Sequence, residues 1–249
     1  STPKPSSAAS DVYKRQIEVN PRASRTVPFV SKANGIPLAK IASRIMAGEK
    51  LSKYNLKYKK NKRYAVKEAV FPFNKFPDSD VLLGPEMKST GEVMGVDKNF
   101  PLAFLKSQMA AGNKLPERGS IFISVRDEDK ENIILLCQVI EKIDFKIYAT
   151  KGTANFLKQF SISVQIINKV NEGSPHIVDF IEKNKIHLII NTTSGVKSIA
   201  DSLSIRRTAL SKKIPYFTTI SAAKIAITGL NIVNNSEISV KSIQELYNL

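Results

Sequence analysis

Residues 17–35 read IEVNPRASRTVPFVSKANG, and Glu18, Asn20, Arg22 and Arg25 bring a carboxylate, an amide and two guanidiniums into eight positions. In an extended strand through Ile17 and Val19, Glu18 and Asn20 project to the same side as a pair of oxygen ligands. Such a pair suits Mg2+ (or Mn2+), which takes few protein ligands and fills its shell with water and substrate phosphates, so that ATP is the natural partner. Arg22 and Arg25 follow, and a guanidinium fork clamps phosphate oxygens or a carboxylate-like group. Taken alone, E-x-N-x-R is more often a salt-bridged strand end.

A second group of polar residues lies in the other half of the chain. Thr150, Gly152 and Thr153 follow one apolar run, Lys169 ends the next, and Asn191, Thr192, Thr193, Ser194 and Gly195 follow a third. Hydroxyls, backbone N–H groups, helix N-termini and a lysine together make a phosphate site. Any one of these clusters is as readily a helix cap. Their recurrence at three successive strand ends favours binding.

The elements that must hold these residues are legible in outline. Pro37 suits the first turn of a helix with an apolar face of Leu38, Ile41, Ala42 and Ile45 and a stop at Gly48. Residues 64–76 are β-rich and end at PFNKFP, where two prolines discourage a central strand. In LLGPEMKSTGEVMG the spaced glycines Gly84, Gly91 and Gly95 predict a short polar turn. A helix is expected over 101–109 and a linker in AAGNKLPERG. Thereafter strand-like runs at 121–125, 145–149, 164–167, 188–190 and 216–219 alternate with helical patterns, the signature of a parallel sheet covered on both faces. The first of these helices carries Ile133, Leu136, Cys137, Ile140 and Ile143 on one stripe, which makes Cys137 a core residue. Ser242 and Glu245 form a capping box for the last helix.

Composition excludes several classes. A chain of 249 residues with 42% hydrophobic content is long and apolar enough to bury a core in one large or two modest domains. The net charge is +16, and residues 1–70 hold 16 Lys/Arg against 4 Asp/Glu. The run KYKKNKR at 57–63 has no interleaved aromatic platform, zinc spacing or helix-turn-helix pattern, so a solvated or subunit-facing surface is favoured over nucleic acid. One cysteine and two histidines rule out an internal disulfide and a histidine-built metal centre. No apolar run has membrane-spanning length and no signal peptide is visible, so a cytoplasmic protein is expected.

The motifs EVNPRASRTVPFVSKANGIPLAKIA, PFNKFPDSDVLLGPEMKSTGEVMG and INTTSG closely resemble the C-terminal end of the carbamoyl phosphate synthetase large subunit, from residue 17 onward. The resemblance implies an α/β chain: a fragment of an ATP-grasp domain over 17–110, a linker at 111–118 and a methylglyoxal-synthase-like allosteric domain over 119–249. Residues 1–16, STPKPSSAASDVYKRQ, match nothing in the family and are expected to be a foreign or disordered leader. By resemblance Glu18 and Asn20 are metal ligands, Arg22 and Arg25 serve catalysis at the phosphates, and ATP is a substrate. Nucleotide effectors, UMP or IMP, would meet Ser124, Lys130, Thr150, Gly152, Thr153, Lys169, Asn191, Thr192, Thr193 and Asp201. An ornithine-type activator would meet Glu68, Tyr216 and Thr218. The implied partners are the glutaminase small subunit and the remainder of the large subunit, in an oligomer. The implied activity is ATP-dependent carbamoyl phosphate synthesis for pyrimidines and arginine, with this chain inactive by itself.

Two other functions are expected less. A stand-alone nucleotide-monophosphate-binding regulatory module would account for the second half alone. A methylglyoxal-synthase-like lyase needs a carboxylate base after the third strand, where the loop reads NEGSPHIVD and Asp179 falls too far along, on the next helix.

Overall fold

The computed structural model describes residues 22–56, 63–72, 88–234 and 237–247. Glu18 and Asn20, the strand expected through Ile17 and Val19, the leader, Gly84 and most of the basic run lie outside the described residues. The chain divides into two compact units, 1–57 and 58–249.

In the first unit two helices follow the expected metal-and-phosphate stretch. A helix that TVPFVSKAN does not announce, α1, spans Thr26–Asn34. It is closed by Gly35 at φ 68°, a left-handed conformation that glycine adopts without Cβ strain, with the Ile36 N–H bonded to Ser31 O at 3.1 Å. The second helix, α2 (Leu38–Met46), begins after Pro37; of its expected apolar face Ile41 is buried, Leu38 and Ile45 are half-buried and Ala42 is exposed. Gly48 stands just past it at φ 101°, its N–H on Ile45 O.

The second unit opens with an antiparallel pair, β1 (Tyr64–Val70) and β2 (Gly91–Asp97), in register from Tyr64 opposite Asp97 to Val70 opposite Gly91. This corrects the turn expected in STGEVMG, since Gly91 and Gly95 lie within a strand. The helix α3 (Phe100–Ala110) covers the pair. A Cβ at Gly95 would stand 2.1 Å from Ala103 O and 2.4 Å from Ser107 N, so glycine is there for close approach of strand to helix backbone. Lys106 adds an ion pair to Asp97 at 2.7 Å.

Five parallel strands follow: β3 (Gly119–Ser124), β4 (Phe145–Ala149), β5 (Val164–Ile166), β6 (Leu188–Asn191) and β7 (Tyr216–Phe217), in the order β5-β4-β3-β6-β7. All five expected runs are strands. Alternation along β3 sends Ile121 and Ile123 to one core and Phe122 to the other. The first core takes side chains of α4 (Ile134–Lys142), α5 (Lys151–Lys158) and α9 (Ile220–Val233). The second takes side chains of α6 (Ile177–Glu182) and α8 (Leu203–Ser211). Cys137 is fully buried on α4, and burial, with the nearby Glu141 charge, pushes its thiol up to about 12, so it is an inert core group. A short helix, α7 (Val196–Asp201), links β6 to α8, and α10 (Ile243–Tyr247) is capped by Ser242 and Glu245, which exchange side-chain and backbone hydrogen bonds.

The helix α3 is squeezed from two sides, because Gly229 on α9 also lacks a Cβ where one would stand 2.6 Å from Leu105 Cγ. Its buried residues, Ala103, Leu105, Ser107 and Gln108, therefore do not fall on a single stripe. By packing, the hairpin and α3 go with the parallel sheet in the second unit.

Candidate functional site

The strand order reverses direction beside β3, with β4 and β5 on one side and β6 and β7 on the other, and open α/β sheets bind ligands at the strand C-termini of such a switch point. A cleft of about 530 Å³ lies there. Its floor is formed by the residues that end or follow the strands: Ser124 and Arg126 after β3, Thr150 after β4, Lys169 after β5, and Asn191 to Ser194 after β6. The opposite wall comes from α7 and α8, with Ser198, Asp201, Ser202 and Ser204.

The strand register sets the geometry, since Ser124 stands opposite Asn191 across the β3–β6 ladder. Ser124 Oγ lies 3.3 Å from Thr150 Oγ1, and Thr192 N–H bonds to Ser124 O at 3.0 Å. Asn191 is buried and its Nδ2 donates to both Ser202 Oγ at 3.1 Å and Tyr216 Oη at 2.7 Å. That fixes the amide orientation and leaves Oδ1 as the acceptor. Thr153 is buried and its Oγ1 accepts from the Val125 N–H at 3.3 Å, which ties α5 to the end of β3. Thr192 accepts from the Arg126 N–H at 3.2 Å.

Cations crowd the rim. Arg126 Nε pairs with Asp129 Oδ2 at 2.8 Å, and Lys130 Nζ with Asp127 Oδ1 at 2.6 Å. Burial alone would raise the Asp129 carboxyl, but hydrogen bonds from Arg126 and Thr192 hold it below its usual range. Lys169 is exposed at the head of a short turn, 170–172, and its backbone N–H donates to Glu172 Oε2 at 2.8 Å.

Of the residues expected to meet a nucleotide, Ser124, Thr150, Lys169, Asn191, Thr192, Thr193 and Asp201 line the one cleft. Lys130 and Gly152 are not among its lining residues, although they lie close to each other, a Cβ on Gly152 standing 3.9 Å from Lys130 Nζ. Thr153 is beneath the floor and not on it. Sequence reasoning missed Arg126, Ser198, Ser202 and Ser204, although Arg126 follows directly from the end of a recognised strand and the serines punctuate SIADSLS.

The remaining expected residues lie elsewhere. Arg22 and Arg25 are exposed at the entry to α1, Arg25 in the position just before its first residue. Glu68 is half-buried on β1, and burial raises its carboxyl while a hydrogen bond from Gln108 on α3 opposes the rise. Tyr216 turns its hydroxyl to Asn191, and Thr218 is exposed beyond β7. Asp179 accepts from the His176 N–H at 2.8 Å and from Ser174 Oγ at 2.7 Å, so it caps α6 and those bonds hold its carboxyl low. An acid engaged in this way is a poor general base for a lyase.

The model of the carbamoyl-phosphate synthase L chain ATP binding domain matches residues 9–54, which takes in residues 9–16 of the segment expected to match nothing in the family, and that of the MGS-like domain matches residues 132–218. The carbamoyl phosphate synthase large chain of Methanobrevibacter smithii is 53% identical over 92% of this chain and 22% of its own length. That of Rhizobium meliloti is 50% identical over 93% of this chain and 20% of its own. The C-terminal section of the large chain from Aquifex aeolicus is 46% identical over 94% of this chain and 48% of its own. A solved methylglyoxal synthase from Elizabethkingia anophelis covers 46% of this chain and 80% of its own at 17% identity and a TM-score of 0.37, a partial likeness only. The chain thus spans between a fifth and a half of the curated relatives it matches. It is a homologue of the carbamoyl phosphate synthase large chain, corresponding to its C-terminal section, with part of an ATP-binding domain followed by an MGS-like domain.

Proposed function

We propose that this chain is the C-terminal part of a cytoplasmic, glutamine-dependent carbamoyl phosphate synthase, and that its cleft is a regulatory site for a nucleoside monophosphate such as UMP or IMP. The supporting observation is the convergence of Ser124, Thr150, Lys169, Asn191, Thr192 and Thr193 on one cleft at the switch point. Hydroxyls and strand-end amides suit phosphate oxygens, Lys169 and Lys130 neutralise charge, and Asp201 faces ribose hydroxyls as an acceptor. Thr153 contributes by holding the N-terminus of α5 against β3.

In the complete protein, Glu18 and Asn20 would hold Mg2+ (or Mn2+) with ATP. An oxygen pair of this kind fits a hard divalent cation. Arg22 and Arg25 would steady the phosphates while carbamate is phosphorylated, a role of positioning and charge stabilisation. The glutaminase small subunit and the rest of the large subunit would supply ammonia and the missing synthetic machinery, and an ornithine-type activator would contact Glu68, Tyr216 and Thr218. Carbamoyl phosphate formation is accordingly expected of the complete protein and not of these 249 residues.

Calorimetry on the 249-residue chain tests the regulatory reading. Heat is expected with UMP or IMP at millimolar concentration or below. Lys169→Ala should weaken binding by about ten- to a hundredfold, the loss of one charge-assisted hydrogen bond. No heat with either nucleotide, or equal affinity in the variant, removes the proposal.

A further inference from the structure

We propose that Asp127 is a built-in counter-ion of the effector site, seated on Lys130 where a ligand phosphate would otherwise sit, so that effector binding proceeds by displacing this carboxylate. The inference deepens the nucleotide reading above and rests on it.

The geometry is specific to one acid. Asp127 Oδ1 lies 2.6 Å from Lys130 Nζ, yet the Asp127 side chain is 91% exposed while that of Lys130 is 22% exposed. The lysine is the more buried partner of the pair, and the carboxylate is the exposed one. A Cβ on Gly152 would stand 3.9 Å from Lys130 Nζ, which sets the ammonium beside the first turn of α5. The N–H groups of that turn have no acceptors within the helix and carry partial positive charge. An ammonium beside a helix N-terminus is a place for an anion, and in the structure that ammonium is paired with Asp127.

Two further facts separate Asp127 from its neighbours. Arg126 has its own acids, Asp129 at 2.8 Å and Glu128 at 3.6 Å, and does not draw on Asp127. The Asp127 carboxyl is held below its usual range first by the Lys130 hydrogen bond and charge, and also by Lys169, so it lies in the field of both lysines assigned to the phosphate. Exposed ion pairs hold weakly. A phosphate monoester brings close to two charges and three acceptor oxygens and can replace a single carboxylate. Asp127 thereby lowers affinity for any weak anion while leaving a phosphate able to bind.

Calorimetry on the 249-residue chain with UMP, IMP and inorganic phosphate tests this against two variants. Asp127→Asn should bind the nucleotides and phosphate about three- to tenfold more tightly. Glu131→Gln removes an equal charge from the next turn without touching the Lys130 pair, and its affinities should stay within about twofold of the parent. Nucleotide binding of equal strength in Asp127→Asn and the parent, or an equal gain in both variants, overturns the counter-ion and leaves the nucleotide site standing. Tighter inorganic phosphate in Asp127→Asn with no nucleotide heat overturns the nucleotide reading and retains the counter-ion. Silence with all three ligands overturns both.

Discussion

Glu68 shows how one side chain is set by what surrounds it. It stands on β1 facing α3, half-buried, and the loss of hydration raises its carboxyl above the usual value of 4.5, although a hydrogen bond from Gln108 works in the opposite direction. Gln108 is itself buried and its Oε1 accepts from Asn113 Nδ2 at 3.0 Å, so its amide is oriented with N–H toward Glu68. A carboxyl raised on folding is best tolerated in its protonated form. Its unfavourable contribution is absent below the unfolded value and grows as pH rises through the folded one. Glu68→Gln should therefore melt higher than the parent at neutral pH, with the gap closing as pH falls toward 4.5. A gap independent of pH would mean that the shift belongs to another group.

At the scale of elements, α3 is the piece that ties the hairpin to the parallel sheet, and two glycines on its neighbours permit the approach. At Gly95 the conflict is with backbone atoms, Ala103 O and Ser107 N, which cannot rotate away. At Gly229 the nearest atoms belong to the flexible end of Leu105, with Pro101 O at 3.1 Å. Gly95→Ala should destabilise the second unit by roughly 1–3 kcal/mol or more, as overpacking of a close contact does, and Gly229→Ala by less. Urea midpoints for the two variants, compared with the parent at unchanged slope, decide the order. An equal shift would show that α3 can move off β2 as easily as Leu105 can change rotamer.

For the whole molecule, the chain joins a segment matched by an ATP-binding domain model to a complete parallel sheet with its own cleft. If the first segment acts in carbamate phosphorylation, Glu18→Gln in the complete synthase should abolish carbamoyl phosphate formation and leave glutamine hydrolysis on the small subunit largely intact. Assays of the two half-reactions on one preparation read this directly. Unchanged carbamoyl phosphate formation would show that Glu18 is no metal ligand, and loss of both activities would point to a structural role.

The strands of the second half were legible because each is a short apolar run flanked by turn residues and separated by a helical period, a pattern that the buried parallel sheet imposes on sequence. The capping box at Ser242 and the Cys137 stripe were equally local. The polar strand ends announced a cleft, and Ser124, Thr150, Lys169, Asn191 and Thr192 do line it. Other features depended on contacts distant in sequence. STGEVMG reads as a turn until β1 pairs with it over Tyr64 to Val70, and its Gly95 serves a helix and not a bend. Thr153 has the residue type of a ligand, but only the approach of β3 to α5 commits its hydroxyl to the Val125 N–H. The run RDEDK gives two bases and three acids without saying which of them pair. The fold settled that Asp129 goes to Arg126 and Asp127 to Lys130, because it fixed where each backbone position stands relative to Thr192 and the first turn of α5.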